Sequence, residues 1–450
     1  MDAVLTHART NLSRHLRSPA LLWLALTTPV LAPFLIPDPG AAYALVGVNG
    51  KSLALDPGSL GLQLGVLAAT LATPLAYIYL RAGATRHQPR EVQVPTPGSR
   101  IELQLGSFLG DTLALWLWAL ALAVAGVILS LFRTETFAPL ETMVTALAVT
   151  APALAIIAGV RTLFASRPRL RGWLGDIAFF FVWTALLVMS VSYFEMETGT
   201  AFGDPMGFVA PLALASPEPV VEYYIGGSPK GEDFLDIDAW RGVANADFLL
   251  SRLVWLAIAS GLAILGGLVF KSARPRPAKV LPREPVAFSG ENVRPAPLRG
   301  GLVDVLTTHI REILNAPPKL AILGVAGLAV ALFPFRGIGG AVALFALIVL
   351  LAEPPARWRS TAMLACLPTS LGERMGMSLV SCLSVGAIVS VVAALRAAIS
   401  GGVTSIVEAG CLPLGTAAGL WALGWLTKSP FASRVIGLIL WYGYLNFALG

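Results

Sequence analysis

Charged residues are scarce in this 450-residue chain, where they make up 13% of the sequence and hydrophobic residues make up 56%. A soluble chain would carry about 25% charged residues, so the composition excludes an ordinary soluble globular protein. Cysteine is also scarce. The three cysteines, Cys366, Cys382 and Cys411, are scattered at spacings that match neither a metal site nor a disulfide framework.

Long apolar runs take the place of the missing charge. A transmembrane helix needs about 20 mostly apolar residues, and a barrel strand would instead alternate apolar and polar residues. The run from Leu113 to Gly126 is continuously apolar, so we predict an all-α polytopic transmembrane bundle of about eleven spans. The predicted spans are Leu21–Ile36, Leu60–Leu80, Phe108–Phe132, Val144–Val160, Leu174–Phe194, Phe248–Phe270, Leu320–Phe335, Ile338–Ala352, Met377–Leu395, Val403–Leu426 and Val435–Leu449.

Basic residues collect in every second loop, which predicts that those loops and the amino terminus are cytoplasmic. The loop after the second span contains Arg81 and Arg90, and the loop after the fourth contains Arg161 and Arg169. The outer loop 195–247 is acidic by contrast. We therefore expect a multi-pass protein of the plasma membrane (the inner membrane of a bacterium). The net charge of +6 sets orientation in the membrane and does not indicate nucleic-acid binding.

The chain divides into two halves, residues 1–270 and 301–450, joined by a cytoplasmic linker over 271–300 that is rich in proline and arginine. Each half opens with an amphipathic stretch that predicts an elbow helix lying in the membrane interface. The start of the following span is the alternative interpretation. The apolar positions of these two stretches are Leu5, Ala8, Leu12 and Leu16 in the first half, and Leu302, Leu306, Ile310 and Ile313 in the second.

A short motif recurs after the second span of each half. Each copy has a proline, then a serine two residues later, then a glutamate three residues after the serine, ahead of an apolar run. The copies are Pro97, Ser99 and Glu102 in the first half, and Pro368, Ser370 and Glu373 in the second. Ser-x-x-Glu is a capping box, in which serine and glutamate reciprocally satisfy backbone N–H groups at a helix start. The motif predicts a firmly started cytoplasmic helix leading into the third span.

With its elbow helix, two spans and proline-serine-glutamate segment, the chain resembles the membrane permeases of type-2 ATP-binding-cassette exporters. That resemblance implies two fused permease halves that form a translocation pathway. It also implies that Pro97, Ser99, Glu102, Pro368, Ser370 and Glu373 dock onto separate ATP-binding-cassette subunits. ATP and magnesium would then be bound by that partner, and this chain would carry no cofactor. The second half departs from the pattern, because it has five predicted spans where six are usual.

Other functions find less support in the sequence. A carrier driven by protons or sodium needs ionisable residues within its spans, and here Asp111 and Asp176 lie close to the predicted cytoplasmic span ends. The segment from Gly47 to Ser52 is too short between its glycines for a phosphate loop and predicts a turn. A membrane-embedded enzyme and a non-transporting scaffold remain alternatives. The substrate is predicted only as hydrophobic or amphiphilic.

Overall fold

The computed structural model describes residues 2–36, 43–87, 99–171, 173–192, 201–229, 234–270, 310, 313, 317–356, 371–400, 403–427 and 430–449. The chain forms two compact units, Met1–Ser272 and Ala273–Gly450. Each unit has its own helices.

The described residues of the first unit form nine α-helices. They are α1 (Asp2–Leu16), α2 (Pro19–Leu35), α3 (Pro57–His87), α4 (Arg100–Arg133), α5 (Pro139–Ser166), α6 (Trp173–Val191), α7 (Ala210–Ala215), α8 (Ala239–Ala244) and α9 (Ala246–Leu268). Helix α5 lies at the centre, where it packs against α3, α4 and α9, and its middle residues from Ala153 to Ala158 are almost fully buried. Charged residues are absent from that run because it lies inside the unit.

Glycine lets α3 approach α5 closely. A Cβ atom added to Gly61 would lie 2.9 Å from the Thr142 Cα atom, and one added to Gly65 would lie 2.9 Å from the Ala146 carbonyl oxygen. Neither distance leaves room for a methyl group. The four-residue spacing places both glycines on one face of α3, and that face is the contact with α5.

A small four-stranded sheet, which the all-α prediction did not include, accompanies these helices. Its strands are β1 (Tyr43–Val48), β2 (Lys51–Leu53), β3 (Tyr223–Pro229) and β4 (Phe234–Leu235), in the order β3-β1-β2-β4. Strands β1 and β2 are antiparallel and are joined by Asn49 and Gly50, whose φ angles are 52° and 72°. Two positive φ values are those of a type I′ hairpin turn, which confirms the turn predicted between Gly47 and Ser52.

Part of the predicted outer loop is held by the hydrogen bonds of two buried charged side chains, Asp204 and Arg252. The carboxylate of Asp204 accepts hydrogen bonds from the backbone N–H groups of Gly207 (2.7 Å), Val209 (2.8 Å) and Ala210 (2.8 Å). Arg252 in α9 donates to the Pro205 carbonyl oxygen at 3.1 Å. Both charged side chains are buried, so they fasten residues 204–210 onto α9.

The second unit contains five described α-helices. They are α10 (Pro317–Leu332), α11 (Gly340–Leu351), α12 (Leu371–Ser400), α13 (Val403–Thr427) and α14 (Pro430–Leu449). Helices α10 and α11 pack against each other and are joined by a π-helical turn over Phe335–Gly339. Gly337 has φ 134° and ψ −141° in this turn, a conformation open essentially to glycine alone.

Eight helices in the described part of the chain are long and apolar enough to cross a membrane. They cover Pro57–Arg81, Arg100–Arg133, Pro139–Ser166, Leu174–Val191, Ala246–Leu268, Phe335–Ala356, Met375–Ile399 and Val403–Thr427. The other three predicted spans contain shorter apolar helices, Ala20–Pro29, Lys319–Leu332 and Ala432–Trp441. A helical, multi-pass membrane protein is therefore supported, and a total of eleven spans stays a prediction.

Candidate coupling site and its buried ionic network

The first predicted capping box is formed in the structure. The Glu102 backbone N–H donates to Ser99 Oγ at 3.1 Å, and the Ser99 backbone N–H donates to Glu102 Oε2 at 3.0 Å. The helix that begins here runs unbroken from Arg100 to Arg133. The box therefore starts a single helix that continues into a candidate span, rather than a separate helix ahead of it.

The structure is less complete for the other predicted coupling residues. Pro97, Pro368 and Ser370 lie outside the described residues. Glu373 lies in the first turn of α12 (Leu371–Ser400), and its side chain is not described. The second capping box and the equivalence of the two halves therefore stay predictions.

Helix α1 lies directly against the first turns of α4. A side chain at Gly106 would lie 2.8 Å from the Val4 carbonyl oxygen, and one at Gly110 would lie 2.9 Å from the Ala8 carbonyl oxygen. Glycines one helical turn apart on α4 thus provide a smooth face for α1. The Asn11 side chain crosses this contact and donates to the Ser107 carbonyl oxygen at 2.9 Å.

The carboxyl-terminal end of α9 also packs against the first turn of α4. At Gly267 a side chain would lie 2.6 Å from Ile101 Cα. Just beyond the helix, the Phe270 ring lies 5.3 Å from the Arg100 guanidinium carbon and 5.8 Å from that of Arg171. These distances are those of cation–π contacts. The first turns of α4 are therefore packed between α1 and α9.

A buried ionic network joins α1 to three other helices, about three turns of α4 beyond Ile101. Its hub is Asp111 in α4, which is 1% exposed. Asp111 Oδ1 accepts from Asn11 Nδ2 at 2.6 Å and from His15 Nε2 at 2.9 Å, and Oδ2 accepts from Arg161 NH1 at 2.9 Å. His15 Nδ1 lies 2.7 Å from the Tyr79 hydroxyl oxygen. The five side chains come from α1, α3, α4 and α5.

The Arg161 guanidinium offsets the charge of the Asp111 carboxylate, and the His15 imidazole links that carboxylate to the Tyr79 hydroxyl. Arg161 is 5% exposed and His15 is 7% exposed. Buried charges at this depth require partners, so the network holds α1 in one position relative to α4 and α5.

Two arginines that were predicted in cytoplasmic loops lie inside helices. The prediction that Arg161 lies in a basic loop is wrong, because the residue is inside α5 and bonded to Asp111. Arg81 lies in α3, and its Nε donates to the Asp176 carboxylate of α6 at 2.9 Å. Both predicted membrane-edge aspartates are thus ion-paired. Arg167 and Arg169 remain in the short connection between α5 and α6.

A helix, α1, covers the first predicted elbow stretch, and its apolar residues are divided between two faces. Ala8 is buried against α4 together with Asn11 and His15, whereas Leu5 and Leu16 are 57% and 60% exposed. A position of α1 in the membrane interface stays a prediction. In the second stretch, Leu302 and Leu306 lie outside the described residues; Ile310 is partly exposed and Ile313 is buried.

The described residues also include no group of three or more histidine, cysteine, aspartate or glutamate side chains that could hold a metal ion. Comparisons of the chain with protein-family models, with curated proteins and with solved structures found no match.

Proposed function

We propose that the chain is the transmembrane permease component of an ATP-driven ABC exporter. It would form a translocation pathway and receive energy from separate ATP-binding-cassette subunits docked on its cytoplasmic face. The observation that carries this proposal is the capped start of α4: an exposed segment at Ser99 opens a single helix that ends at Arg133.

The geometry of α4 suits the transmission of a movement. At about 1.5 Å per residue, its 34 residues span about 50 Å, which exceeds the hydrocarbon core of about 30 Å. A partner that displaces Ser99 and Glu102 would therefore displace a helix that crosses the whole membrane. The proposed docking residues lie at the end of this lever, where a partner can reach them.

Helix α1 would move together with the lever. Asp111, His15 and Arg161 tie α1 and α5 to α4 through bonds of 2.9 Å, and the contact at Gly106 and Gly110 leaves no gap between α1 and α4. Packed, hydrogen-bonded interfaces shift between discrete arrangements and do not deform continuously. A push on the capped segment would thus move α1, α4 and α5 together.

The test separates the charge of Glu102 from its capping role. Glu102→Gln keeps the capping box, because glutamine serves at that position, whereas Glu102→Ala removes both. Complexes are captured from native membranes in mild detergent, and retention of ATP-binding-cassette subunits and transport-linked ATP hydrolysis are measured. We expect Glu102→Ala to weaken partner binding about tenfold or more, as loss of a central contact does. Membrane insertion should be normal.

The matched control is Asp238→Ala. Asp238 caps α8 by accepting from the Arg241 backbone N–H at 2.9 Å, but it lies in the predicted outer loop, so its loss should leave ATP hydrolysis unchanged.

Glu373→Ala should have a smaller effect than Glu102→Ala, because the second half is shorter. Normal partner retention and normal coupled hydrolysis in the Glu102→Ala, Glu373→Ala double variant would refute the docking role. Failure to recover any ATPase would favour an enzyme or a scaffold.

A further inference from the structure

The second unit contains an open groove of about 450 Å³ between α11, α13 and α14. This volume is within the range of small-molecule sites, which are mostly apolar with a few placed polar groups. Leucine and isoleucine side chains form much of its wall, among them Leu344, Ile348 and Leu440. The groove follows α13 from Glu408 to Leu423, which at about 1.5 Å per residue is about 22 Å.

Missing side chains on α13 create the space. Gly415 and Gly419 line the groove, and a Cβ atom added to either would meet no atom within 4 Å. In contrast, a Cβ added to Gly386 of α12 would lie 2.9 Å from Ala417 on the opposite face of α13. One face of α13 is therefore packed, and the face with Gly415 and Gly419 opens into the groove.

A pair of opposite charges lies at one end of this apolar channel. Glu408 lines the groove and lies 3.4 Å from Arg336 Nε, measured to Oε2. Nearby polar atoms of the wall bond the backbone: the Tyr444 hydroxyl donates to the Phe335 carbonyl oxygen, and Trp441 Nε1 donates to the Ala341 carbonyl oxygen, each at 2.7 Å. The groove is thus apolar along its length and dipolar at the Glu408 end.

We propose that the groove binds a single-chain zwitterionic amphiphile, with its tail along Gly415 and Gly419 and its headgroup at Arg336 and Glu408. A zwitterion suits an arginine–glutamate pair because its anionic group can bond the guanidinium while its ammonium bonds the carboxylate. A headgroup with one charge would separate the pair and compensate only one member. In a membrane, such an amphiphile reaches the groove from the lipid.

The experiment uses the purified full-length chain in a neutral detergent and three amphiphiles with the same brominated tail. The probes carry a phosphoethanolamine, a phosphoglycerol or an uncharged glycerol headgroup, and bromine quenches tryptophan fluorescence at short range. The measured signal is the difference in fluorescence quenching between the wild-type chain and the Trp441→Phe variant, which isolates quenching of Trp441. We expect the phosphoethanolamine probe to act at about tenfold lower concentration than either other probe, as two charged contacts would require.

Matched variants of α13 distinguish a defined site from general contact with lipid. Gly419→Leu fills the groove and should raise the required concentration about tenfold or more. Gly410→Leu is the control, because Gly410 also faces open space but does not line the groove. Glu408→Gln and Arg336→Gln should remove the headgroup preference and leave binding of the uncharged probe unchanged. Equal potency of the three probes, or a Gly419→Leu variant that responds like the wild type, would overturn the site.

Binding in this experiment requires no ATPase, so its outcome is independent of the coupling test at Glu102. The step from bound amphiphile to exported cargo rests on the proposed function. Binding at the groove without any ATPase partner would leave the site in place and remove only the transport role.

Discussion

Asp111 concentrates three charged or polar partners on one carboxylate in the interior of the first unit. Asn11 and His15 come from α1, and Arg161 comes from α5, fifty residues away in the chain. An ion pair at this depth need not stabilise the protein more than an apolar pair would, but removing one partner leaves the other charge buried alone. The pair therefore favours one arrangement of the helices strongly over others.

The prediction at this site is a double-mutant cycle. Asp111→Leu should lower the free energy of unfolding by about 3–5 kcal/mol, because it leaves the Arg161 guanidinium without its carboxylate. The Asp111→Leu, Arg161→Met double variant should lose much less, since neither charge remains. Denaturant unfolding in detergent, followed by tryptophan fluorescence, measures both. If the loss in the double variant equals the sum of the losses in Asp111→Leu and in Arg161→Met alone, the 2.9 Å pair contributes no coupling energy.

Two glycine pairs of identical spacing show how an element acquires its role from its neighbours. Gly61 and Gly65 bring α3 into contact with α5, where a Cβ would lie 2.9 Å from the Thr142 Cα or from the Ala146 carbonyl oxygen. Gly415 and Gly419 face open space on α13. A small-xxx-small pattern predicts close helix packing, and the structure bears this out for the first pair only.

Alanine substitutions should separate the two pairs. Gly61→Ala should destabilise the protein by about 1–3 kcal/mol, because the added methyl group meets backbone atoms of α5 that cannot move aside easily. Gly419→Ala should be neutral or should stabilise the protein by up to about 1 kcal/mol, since alanine is the better helix former and nothing obstructs it. Thermal unfolding of the two variants in one detergent is the measurement. Equal losses of stability in the two variants would mean that the Gly419 face of α13 is packed against other residues in the folded protein.

At the scale of the whole molecule, the alternating basic loops make a testable prediction of topology. Reporter fusions at Arg90, Arg169 and Arg283 should score cytoplasmic, and a fusion at Asp236 should score external, because lysine and arginine near span ends are retained inside. Arg169 lies in the connection between α5 and α6, and Asp236 follows strand β4. An external score at Arg283 would separate the two coupling segments onto opposite sides and contradict the proposed arrangement of the halves.

Local patterns in the sequence determined several elements of the chain. Continuous apolar runs predicted the eight long helices, because crossing hydrocarbon sets both their length and their composition. The capping box at Ser99 and Glu102 was predictable because both partners lie within one turn. The Asn49–Gly50 turn was predicted too, and that dipeptide is also a strong hairpin signal, which the all-α prediction did not use.

The tertiary structure alone decided the pairing of residues that are far apart in the chain. Strand β1 found its partner β3 near residue 225, and no period or spacing connects the two segments. Arg161 has the same local sequence signal as a loop arginine, yet Asp111 holds it inside the bundle. Whether a glycine pair lies against another helix or faces open space was likewise decided by the packing of the helices. Composition and periodicity report the environment that a helix needs, whereas the partner that satisfies a buried charge or fills a bare face depends on how the helices pack.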